Sequence, residues 1–304
     1  DEYSLDLSIG ISLFPVHGNN ANELVRKADI AMYEAKNRSE VIHTYYQDFM
    51  EIELQEGITI AQEIRKAIRN DGFNIVVQPQ YQLADEKIIS YEALARLKNS
   101  DIPPIKFIRI AEKSNLINGL GRIIIEKTFQ VLKRMDTEAI ELRPIYVNLS
   151  AKQLVDNTLT QFIDEMVKKY NVSPKYFGVE LTESTLIDNE YVAREILGNL
   201  QKIGVKIAID DFGSGQAGLN YLTKYPVEMV KLDREFCVNY LDEEKIAVFN
   251  ALVNFAQILG FKVLAEGIEE ENQILLLKST KCQLAQGFYY SRPFDPKLLF
   301  EEKN

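Results

Sequence analysis

The stretch Val205-Lys206-Ile207-Ala208-Ile209-Asp210-Asp211 is an apolar run that ends abruptly in two carboxylates. Seven other runs share its apolar character, and most are separated by segments with the 3.6-residue period of helices. They span residues 73–81, 88–96, 144–150, 176–182, 228–233, 261–267 and 283–290. Strands that alternate with helices form a parallel sheet covered by helices, and eight such units favour a closed barrel. The sequence therefore predicts an α/β fold of the TIM-like (β/α)8 type.

Polar side chains close or interrupt seven of the eight predicted strands. A lone acid at such a position is usually a solvated loop residue or a helix cap. In a parallel barrel, however, the carboxyl ends of the strands converge on one face, where barrel enzymes place their active sites. The residues concerned are Glu92, Asn148, Glu180, Asp210 with Asp211, Lys231, Glu266 and Gln286. We therefore expect these side chains to meet in one pocket.

The residue types in this set indicate a site for hard divalent cations. Five carboxylates brought together would repel one another unless cations were bound. Oxygen ligands favour Mg²⁺ or Mn²⁺ over Zn²⁺, and the only histidines are His17 and His43, far from the predicted strand ends. Asp210 and Asp211 would point to opposite sides of a regular strand, but a turn beginning at Phe212 would let both reach a metal. Two ions about 3.5–4 Å apart would stabilise the attacking and leaving oxygens of a displacement at phosphorus.

Composition and charge exclude several classes of protein. The chain has 304 residues, 46% of them hydrophobic and 26% charged, as in ordinary globular proteins rather than disordered or membrane-spanning ones. A net charge of −10 disfavours a nucleic acid polymer as partner, because binding one requires many Lys and Arg contacts to phosphate. Cys237 and Cys282 imply no disulfide scaffold and are expected to be buried thiols. We expect a cytoplasmic domain, and this expectation is compatible with a membrane anchor further upstream in the full-length protein.

The first residues follow a different pattern from the barrel region. Apolar and polar residues alternate over residues 5–13, which predicts a half-buried strand. Residues 21–36 carry an apolar stripe at helical spacing, and residues 42–70 are predicted to be a connector followed by an amphipathic helix. A strand and a helix of this size cannot form a stable domain unaided. We expect them to pack on the rest of the chain or to belong to a domain whose start is missing.

Three blocks stand out in this region: Ser8-Ile9-Gly10-Ile11-Ser12, Phe14-Pro15 with Gly18, and Ala28-Asp29-Ile30-Ala31-Met32-Tyr33-Glu34-Ala35-Lys36. Together they resemble the carboxyl-terminal end of the GGDEF family of diguanylate cyclases. The Gly-Gly-Asp/Glu-Glu-Phe signature that binds GTP and metal in that family is absent from the sequence. Residues 1–45 are therefore interpreted as the carboxyl-terminal fragment of a GGDEF-like domain, which cannot make cyclic diguanylate by itself.

Seven blocks stand out in the barrel region. They are Glu92-Ala93-Leu94-Ala95-Arg96, Asn148-Leu149-Ser150, Glu180-Leu181-Thr182-Glu183-Ser184, Asp210-Asp211-Phe212-Gly213, Lys231-Leu232-Asp233, Ala265-Glu266-Gly267-Ile268-Glu269 and Gln286-Gly287-Phe288. In their order and spacing they resemble the EAL family of cyclic diguanylate phosphodiesterases. The resemblance implies an EAL barrel with one antiparallel strand over residues 61–304, preceded by a connector helix at residues 46–60.

The same resemblance implies a bacterial signalling enzyme that hydrolyses cyclic diguanylate (c-di-GMP) to linear pGpG with two Mg²⁺ or Mn²⁺ ions. Four residues would hold the first ion and three the second: Glu92, Asn148, Glu180 and Asp210 for the first, and Asp210, Asp211 and Glu266 for the second. A water activated between the ions would attack phosphorus. Lys231 would position that water or neutralise the pentacoordinate phosphorus, which makes Lys231, Glu266 and Glu92 the catalytic residues.

Other positions match the family's substrate contacts and supporting acids. The expected substrate contacts are Gln78, Leu94, Arg96 and Gln286, with Arg96 on a phosphate. Glu183 matches a residue that anchors the loop after Asp211, and Glu269 matches an acid near the metals. Glu183 is equally well explained as a carboxylate at the start of a helix, and Glu269 as a surface charge.

Two positions depart from the family pattern. Leu97 stands where the family usually carries Trp, and Gln216-Ala217-Gly218 stands where it prefers Tyr-Ser-Ser, in a loop that couples dimer contacts to metal binding. Neither change removes an expected metal ligand. We therefore expect a loss of regulation or rate before a loss of chemistry.

Two rival functions stay open at this point. A receptor would bind c-di-GMP without hydrolysing it and would signal to a partner. A metal-dependent barrel enzyme acting on a carboxylic acid, with Lys231 as base, would share the carboxylate arrangement. The expected partners are c-di-GMP as substrate, a second copy in a homodimer and an upstream sensory domain in the full-length protein.

Overall fold

The structure, a computed structural model, describes residues 7–36, 42–188, 190–213 and 223–301. The chain divides into two compact units, Asp1–Arg65 and Lys66–Asn304. Within the described residues, every helix is too short or too polar to cross a membrane.

The amino-terminal unit contains a small sheet and a helix. Its elements are β1 (Ile9–Ile11), α1 (Ala21–Lys36) and β2 (His43–Tyr45), and the two strands pair in parallel. Helix α1 has the predicted bounds, whereas the predicted strand over residues 5–13 is three residues long in the described part of the chain. Ala31 is buried together with Tyr46 and Met50.

Eight strands form the closed barrel of the second unit. They are β3 (Phe73–Gln82), β4 (Ile88–Leu97), β5 (Ile145–Asn148), β6 (Phe177–Thr182), β7 (Lys206–Phe212), β8 (Met229–Leu232), β9 (Lys262–Ala265) and β10 (Leu284–Ala285). They close in the order β10-β3-β4-β5-β6-β7-β8-β9. Strand β3 is antiparallel to both of its neighbours, and the other seven are parallel to one another. The predicted TIM-like barrel with one antiparallel strand is confirmed.

The helices occur between the strands, as the periodicity of the sequence predicts. They are α2 (Asp48–Arg69), α3 (Pro104–Lys113), α4 (Ile117–Thr137), α5 (Ala151–Leu154), α6 (Leu159–Tyr170), α7 (Glu183–Asp188), α8 (Glu190–Lys202), α9 (Arg234–Tyr240), α10 (Ile246–Ile258) and α11 (Glu271–Ser279). A short 3-10 helix, Pro296–Phe300, follows near the carboxyl terminus. Helix α4 illustrates why they form, because its buried residues Ile125, Phe129 and Leu132 recur at helical spacing.

The outward faces of strands β5 and β6 are buried, in part beneath helix α4. Ile145 and Val147 of β5 and Phe177 and Val179 of β6 are almost completely excluded from solvent. Phe177 stacks on Phe129 of α4, with ring centroids 4.8 Å apart. Apolar burial of this kind contributes about 25 cal/mol per Å² and holds the helical layer on the barrel.

The inward faces are filled by an apolar layer near the amino-terminal ends of the parallel strands. This layer consists of Tyr146, Ala208, Met229, Leu264 and Leu284. Gly178 gives the Tyr146 ring its space, because a Cβ atom at residue 178 would lie 2.3 Å from that ring. Two residues further along each of these strands, the next inward position is polar. The barrel therefore has an apolar floor directly beneath the predicted site.

Candidate active site

The polar layer of the barrel is built from equivalent positions on successive strands. Asn148 of β5 is the register partner of Glu180 of β6, and the antiparallel register places Gln78 of β3 opposite Glu92 of β4. Asn148 ends β5 and Glu180 lies near the end of β6, whereas Glu92 and Gln78 lie in the middle of the longer strands β4 and β3. The fold thus brings together the strand-end residues that the sequence analysis selected.

Lys231 lies at the centre of this layer, and its side chain is completely buried. Its Nζ atom is 2.6 Å from Oε1 of Glu266 and 2.7 Å from Oε2 of Glu180. Oδ1 of Asp210 lies 3.4 Å away and Oε2 of Glu92 lies 3.6 Å away. Carboxylates from four different strands therefore surround one ammonium group.

The crowding of acids shifts the proton equilibria of the cluster. Burial opposes the charge of Lys231, but Asp210, Glu180, Glu266 and Glu92 together raise its pKa well above the ordinary value. Burial raises the pKa of Glu180 well above its usual range, although Lys231 acts in the opposite direction. Burial likewise raises the pKa of Glu266 to about 8. Because the carboxylates outnumber the cation, burial and mutual repulsion raise the pKa of the most buried acids, and the same negative charges raise the pKa of the lysine.

One carboxylate oxygen of the cluster has no hydrogen-bond partner in the part of the chain that the structure describes. Oε1 of Glu180 is buried and accepts no hydrogen bond within the described residues. An unsatisfied buried acceptor costs about 1–3 kcal/mol, and a carboxylate oxygen in this state is a natural ligand for a hard cation. In the part of the chain described here, no three His, Cys, Asp or Glu side chains are already arranged around a common point as metal ligands. The acids instead close on the Lys231 ammonium.

Side-chain amides hold the Glu92 carboxylate on both sides. Nδ2 of Asn148 donates to Oε1 of Glu92 at 2.7 Å, and Nε2 of Gln286 donates to Oε2 at 2.7 Å. The same Gln286 nitrogen donates to Oε1 of Gln78 at 3.1 Å, and Nε2 of Gln78 donates to the carbonyl oxygen of Ser291 at 3.2 Å. Each oxygen of Glu92 is therefore oriented by a neutral donor.

Two members of this network were missed by the sequence analysis, Gln80 and Ser90. Both are almost completely buried, and they extend the network from Gln286 towards the floor of the barrel. A signal was present, because Gln78 and Gln80 occupy alternate positions of one strand and therefore share its inward face. Two amides on the inner face of a barrel strand require polar partners there.

The chain distorts where the sequence predicts that a regular strand would separate Asp210 and Asp211. The β7–β8 register shifts between Ile209 and Phe212, and Asp211 adopts a left-handed backbone with φ +56°. The Asp211 N–H donates to Oδ1 of Asp210 at 3.1 Å. Burial and the neighbouring Asp210 carboxylate raise the pKa of Asp211. This irregularity in β7 therefore leaves the negative charge of Asp210 acting on the Asp211 carboxylate.

Leu94 and Arg96 lie on the same face of β4 as Glu92, and both are half-buried. Nη1 of Arg96 donates to the carbonyl oxygen of Ala95 at 2.9 Å. Burial lowers the pKa of Arg96, while Glu92 acts in the opposite direction. Arg96 therefore presents a partly desolvated cation beside the acidic cluster, which strengthens any contact to an anion.

The two supporting acids lie in different surroundings. Glu183, the first residue of α7, is buried, and its Oε2 accepts a hydrogen bond of 3.3 Å from the N–H of Gly213. It thus contacts the chain just after Asp211, where the predicted loop begins. Glu269 is exposed, and its recorded ion pair, at 3.1 Å, is with exposed Arg234 rather than with a member of the cluster.

Of the two departures from the family pattern, Leu97 lies within the described residues and the second segment does not. Leu97 is the last residue of β4 and is buried opposite Phe73. The Gln216-Ala217-Gly218 segment lies outside the described residues.

Comparison with known proteins agrees with this architecture. The EAL domain model matches residues 61–293, and the model of the diguanylate cyclase GGDEF domain matches residues 1–40. The cyclic di-GMP phosphodiesterase PdeR of Escherichia coli (strain K12) is 34% identical over 300 residues, which cover 97% of this chain and 45% of PdeR. The signaling protein YkoW of Bacillus subtilis (strain 168) is 35% identical over 297 residues, 96% of this chain and 37% of YkoW. The chain therefore spans less than half the length of either curated relative.

A solved structure, the PaMucR phosphodiesterase in complex with c-di-GMP, superposes with a TM-score of 0.74 and 30% sequence identity. The alignment covers 79% of this chain and 99% of that one. Since the EAL domain model matches most of the chain and the barrel matches a solved member, this chain belongs to the EAL domain family.

Proposed function

We propose that this chain hydrolyses c-di-GMP to linear pGpG by phosphodiester cleavage that depends on two Mg²⁺ or Mn²⁺ ions. The observation that carries the proposal is the set of four carboxylates within 3.6 Å of Lys231 Nζ, one of which, Glu180, has a buried oxygen with no hydrogen-bond partner among the residues that the structure describes. PdeR and PaMucR are both named as phosphodiesterases, and the PaMucR structure is a complex with c-di-GMP, which supports the choice of substrate.

The donor set fits hard divalent ions, because it consists of carboxylate and amide oxygens. The ligands assigned to the first ion are Glu92, Asn148, Glu180 and Asp210, and those assigned to the second are Asp210, Asp211 and Glu266. Once bound, the ions would supply Lewis-acid stabilisation and lower the pKa of a water. The acids would have to turn from the Lys231 ammonium towards the ions, which makes Lys231 available to the phosphate.

The remaining residues bind and orient the substrate. In the reaction, water adds across one phosphodiester bond: its oxygen goes to phosphorus, and its proton goes to the leaving sugar oxygen. Lys231 would neutralise charge that develops on the phosphoryl oxygens, as a compact buried cation can. Arg96 would contact a phosphate, and Leu94, Gln78 and Gln286 would line the substrate pocket.

We assign the barrel to residues 61–304, the connector helix to residues 46–60 and the GGDEF-like fragment to residues 1–45. The start of the EAL match at residue 61 and the end of the GGDEF match at residue 40 support these bounds. The homodimer, the upstream sensory domain and an upstream membrane anchor stay predictions.

The direct test is incubation of the purified chain with c-di-GMP and Mg²⁺ or Mn²⁺, followed by chromatography for pGpG. We expect pGpG to accumulate with either ion and not in EDTA. Binding of c-di-GMP without turnover would instead support the receptor alternative, and neither binding nor turnover would refute the proposal.

A further inference from the structure

A chain of buried hydrogen bonds runs from Ser90 to the proposed metal ligand Glu92. Oγ of Ser90 donates to Oε1 of Gln80 at 2.5 Å, and Nε2 of Gln80 donates to Oε1 of Gln286 at 2.9 Å. Nε2 of Gln286 then donates to Oε2 of Glu92 at 2.7 Å and to Oε1 of Gln78 at 3.1 Å. All five residues are at least nine-tenths buried, so water cannot replace these partners freely.

The direction of this chain is fixed by chemistry. Nε2 of Gln286 is the amide atom that faces the Glu92 carboxylate, and an amide nitrogen can only donate. The Gln286 carbonyl then faces the other way and requires a donor, which Gln80 supplies. The Gln80 carbonyl in turn requires a donor, and the Ser90 hydroxyl is that donor. Reversing any one amide would set a carbonyl oxygen against an oxygen, which is costly in a buried site.

We infer that Gln80 and Ser90 are positioning residues that fix the rotamer of Gln286 and, through it, the orientation of the Glu92 carboxylate for metal binding. This inference rests on the proposed function, because the proposed metal site gives the relay, the hydrogen-bond chain from Ser90 through Gln80 and Gln286, a metal ligand to orient. Neither residue belongs to the assigned ligands or substrate contacts. They act from the layer beneath, where Gln80 is the strand partner of Ser90 just as Gln78 is that of Glu92.

The relay predicts a specific failure when it is interrupted. Without the Gln80 amide, the Gln286 carbonyl loses its donor and the Gln286 side chain gains alternative rotamers. Glu92 then loses a fixed donor on Oε2, while Asn148 continues to hold Oε1. Loss of a group that orients a metal ligand typically lowers metal affinity about 10- to 100-fold.

The test is Mn²⁺ affinity of the purified chain, measured by calorimetry without nucleotide. Gln80→Met replaces the amide with an apolar side chain of similar size, and Ser90→Ala removes the terminal donor. Both should weaken Mn²⁺ binding about tenfold. Thr128→Val is the matched control, because it also deletes a buried hydroxyl of the barrel unit, one that donates to the Ile124 carbonyl within α4. Its Mn²⁺ affinity should stay within about twofold of the unsubstituted chain.

A double-mutant cycle separates positioning from a general loss of packing. If Gln80 acts through Gln286, adding Q80M to a Q286M chain should change Mn²⁺ affinity less than about twofold. Equal losses in both backgrounds, or Mn²⁺ affinities of Q80M and S90A within about twofold of the unsubstituted chain, would overturn the inference alone. An unsubstituted chain that neither binds Mn²⁺ nor cleaves c-di-GMP would overturn the proposed function and this inference with it.

Discussion

Replacing Lys231 with methionine should make the barrel depend on a divalent cation for much of its stability. In the metal-free protein the Lys231 ammonium is the buried positive charge that holds Glu266, Glu180, Asp210 and Glu92 together. Lys231→Met keeps most of the side-chain volume and removes the charge. The acids would then repel one another, and protonation or a bound cation would be needed to relieve them.

The structure sets the size of the effect. Lys231 is fully buried, and so is Glu180, its partner at 2.7 Å. Removing one member of a buried ion pair costs about 3–5 kcal/mol, because the remaining charge is left uncompensated. In a domain of this size, 1 kcal/mol corresponds to roughly 2–4 °C in melting temperature. We therefore expect the K231M variant to melt about 10 °C below the unsubstituted chain in EDTA.

Thermal unfolding at pH 8.5, with EDTA or with Mn²⁺, measures this effect. The pH lies above the pKa of about 8 that Glu266 has beside Lys231. Because Lys231 lowers that pKa, the variant should also take up a proton at this pH, and its loss of stability should grow as the pH is raised further. Mn²⁺ at a hundred times the Kd of the unsubstituted chain stabilises that chain by about 2.7 kcal/mol. At the same Mn²⁺ concentration the variant should gain more, because the ion replaces the missing charge and should therefore bind more tightly.

The matched control is Lys206→Met, another lysine on a barrel strand. Lys206 pairs with the exposed carboxylate of Glu228 at 3.1 Å, so its loss should cost no more than about 1 kcal/mol. A melting temperature of K231M within about 2 °C of the unsubstituted chain in EDTA would contradict this prediction, because a shift that small corresponds to a loss of about 1 kcal/mol or less. A Mn²⁺ shift no larger than that of the unsubstituted chain would equally contradict it.

Three further outcomes are expected. Glu92→Gln and Asp210→Asn should each lower pGpG formation about 100-fold or more, since Lewis-acid stabilisation worth several kcal/mol is lost, while circular dichroism stays unchanged. Arg96→Ala should raise KM about tenfold with a smaller change in kcat, because a charge-assisted contact to phosphate is lost; an unchanged KM would remove Arg96 from the substrate site. Mn²⁺ affinity should weaken about tenfold per pH unit below pH 8, because Glu266 must lose a proton to bind; calorimetry from pH 6.5 to 9 that finds no slope would contradict this.

The barrel was predictable because its strands are apolar on the face that packs under the helices and change to polar residues at one end. The predicted run over residues 73–81 is strand Phe73–Gln82 in the structure. The run over 283–290 was too long, since only Leu284–Ala285 is a strand. Gly287 explains the early end, because its backbone lies so close to Ile268 that a Cβ would be 2.0 Å from that carbonyl oxygen. Such a close approach of two backbones has no periodic signal in the sequence.

The membership of the site was more predictable than its internal contacts. Strand ends in a parallel barrel must converge, so Glu180, Lys231 and Glu266 could be placed together from the sequence. The sequence did not predict that Lys231 would be the buried partner of four acids. Convergence of the strands places the side chains in one pocket, but which of them pair there depends on side-chain geometry that the sequence pattern does not specify. Glu269 is close in sequence to Glu266 but pairs with Arg234, and a place near the metals stays a prediction for it.

The charge of the cluster also bears on the rival chemistry with Lys231 as a general base. A base must be neutral to accept a proton, but the surrounding acids raise the pKa of Lys231 well above its ordinary value. Divalent ions would offset the excess of acids for either substrate, because each brings two positive charges to oxygen ligands such as Oε1 of Glu180, which has no hydrogen-bond partner among the described residues. An anion, whether a phosphodiester or a carboxylate, would then be attracted to the site. The charge on Lys231 is what separates the two chemistries, because a protonated lysine can neutralise phosphoryl oxygens but cannot abstract a proton.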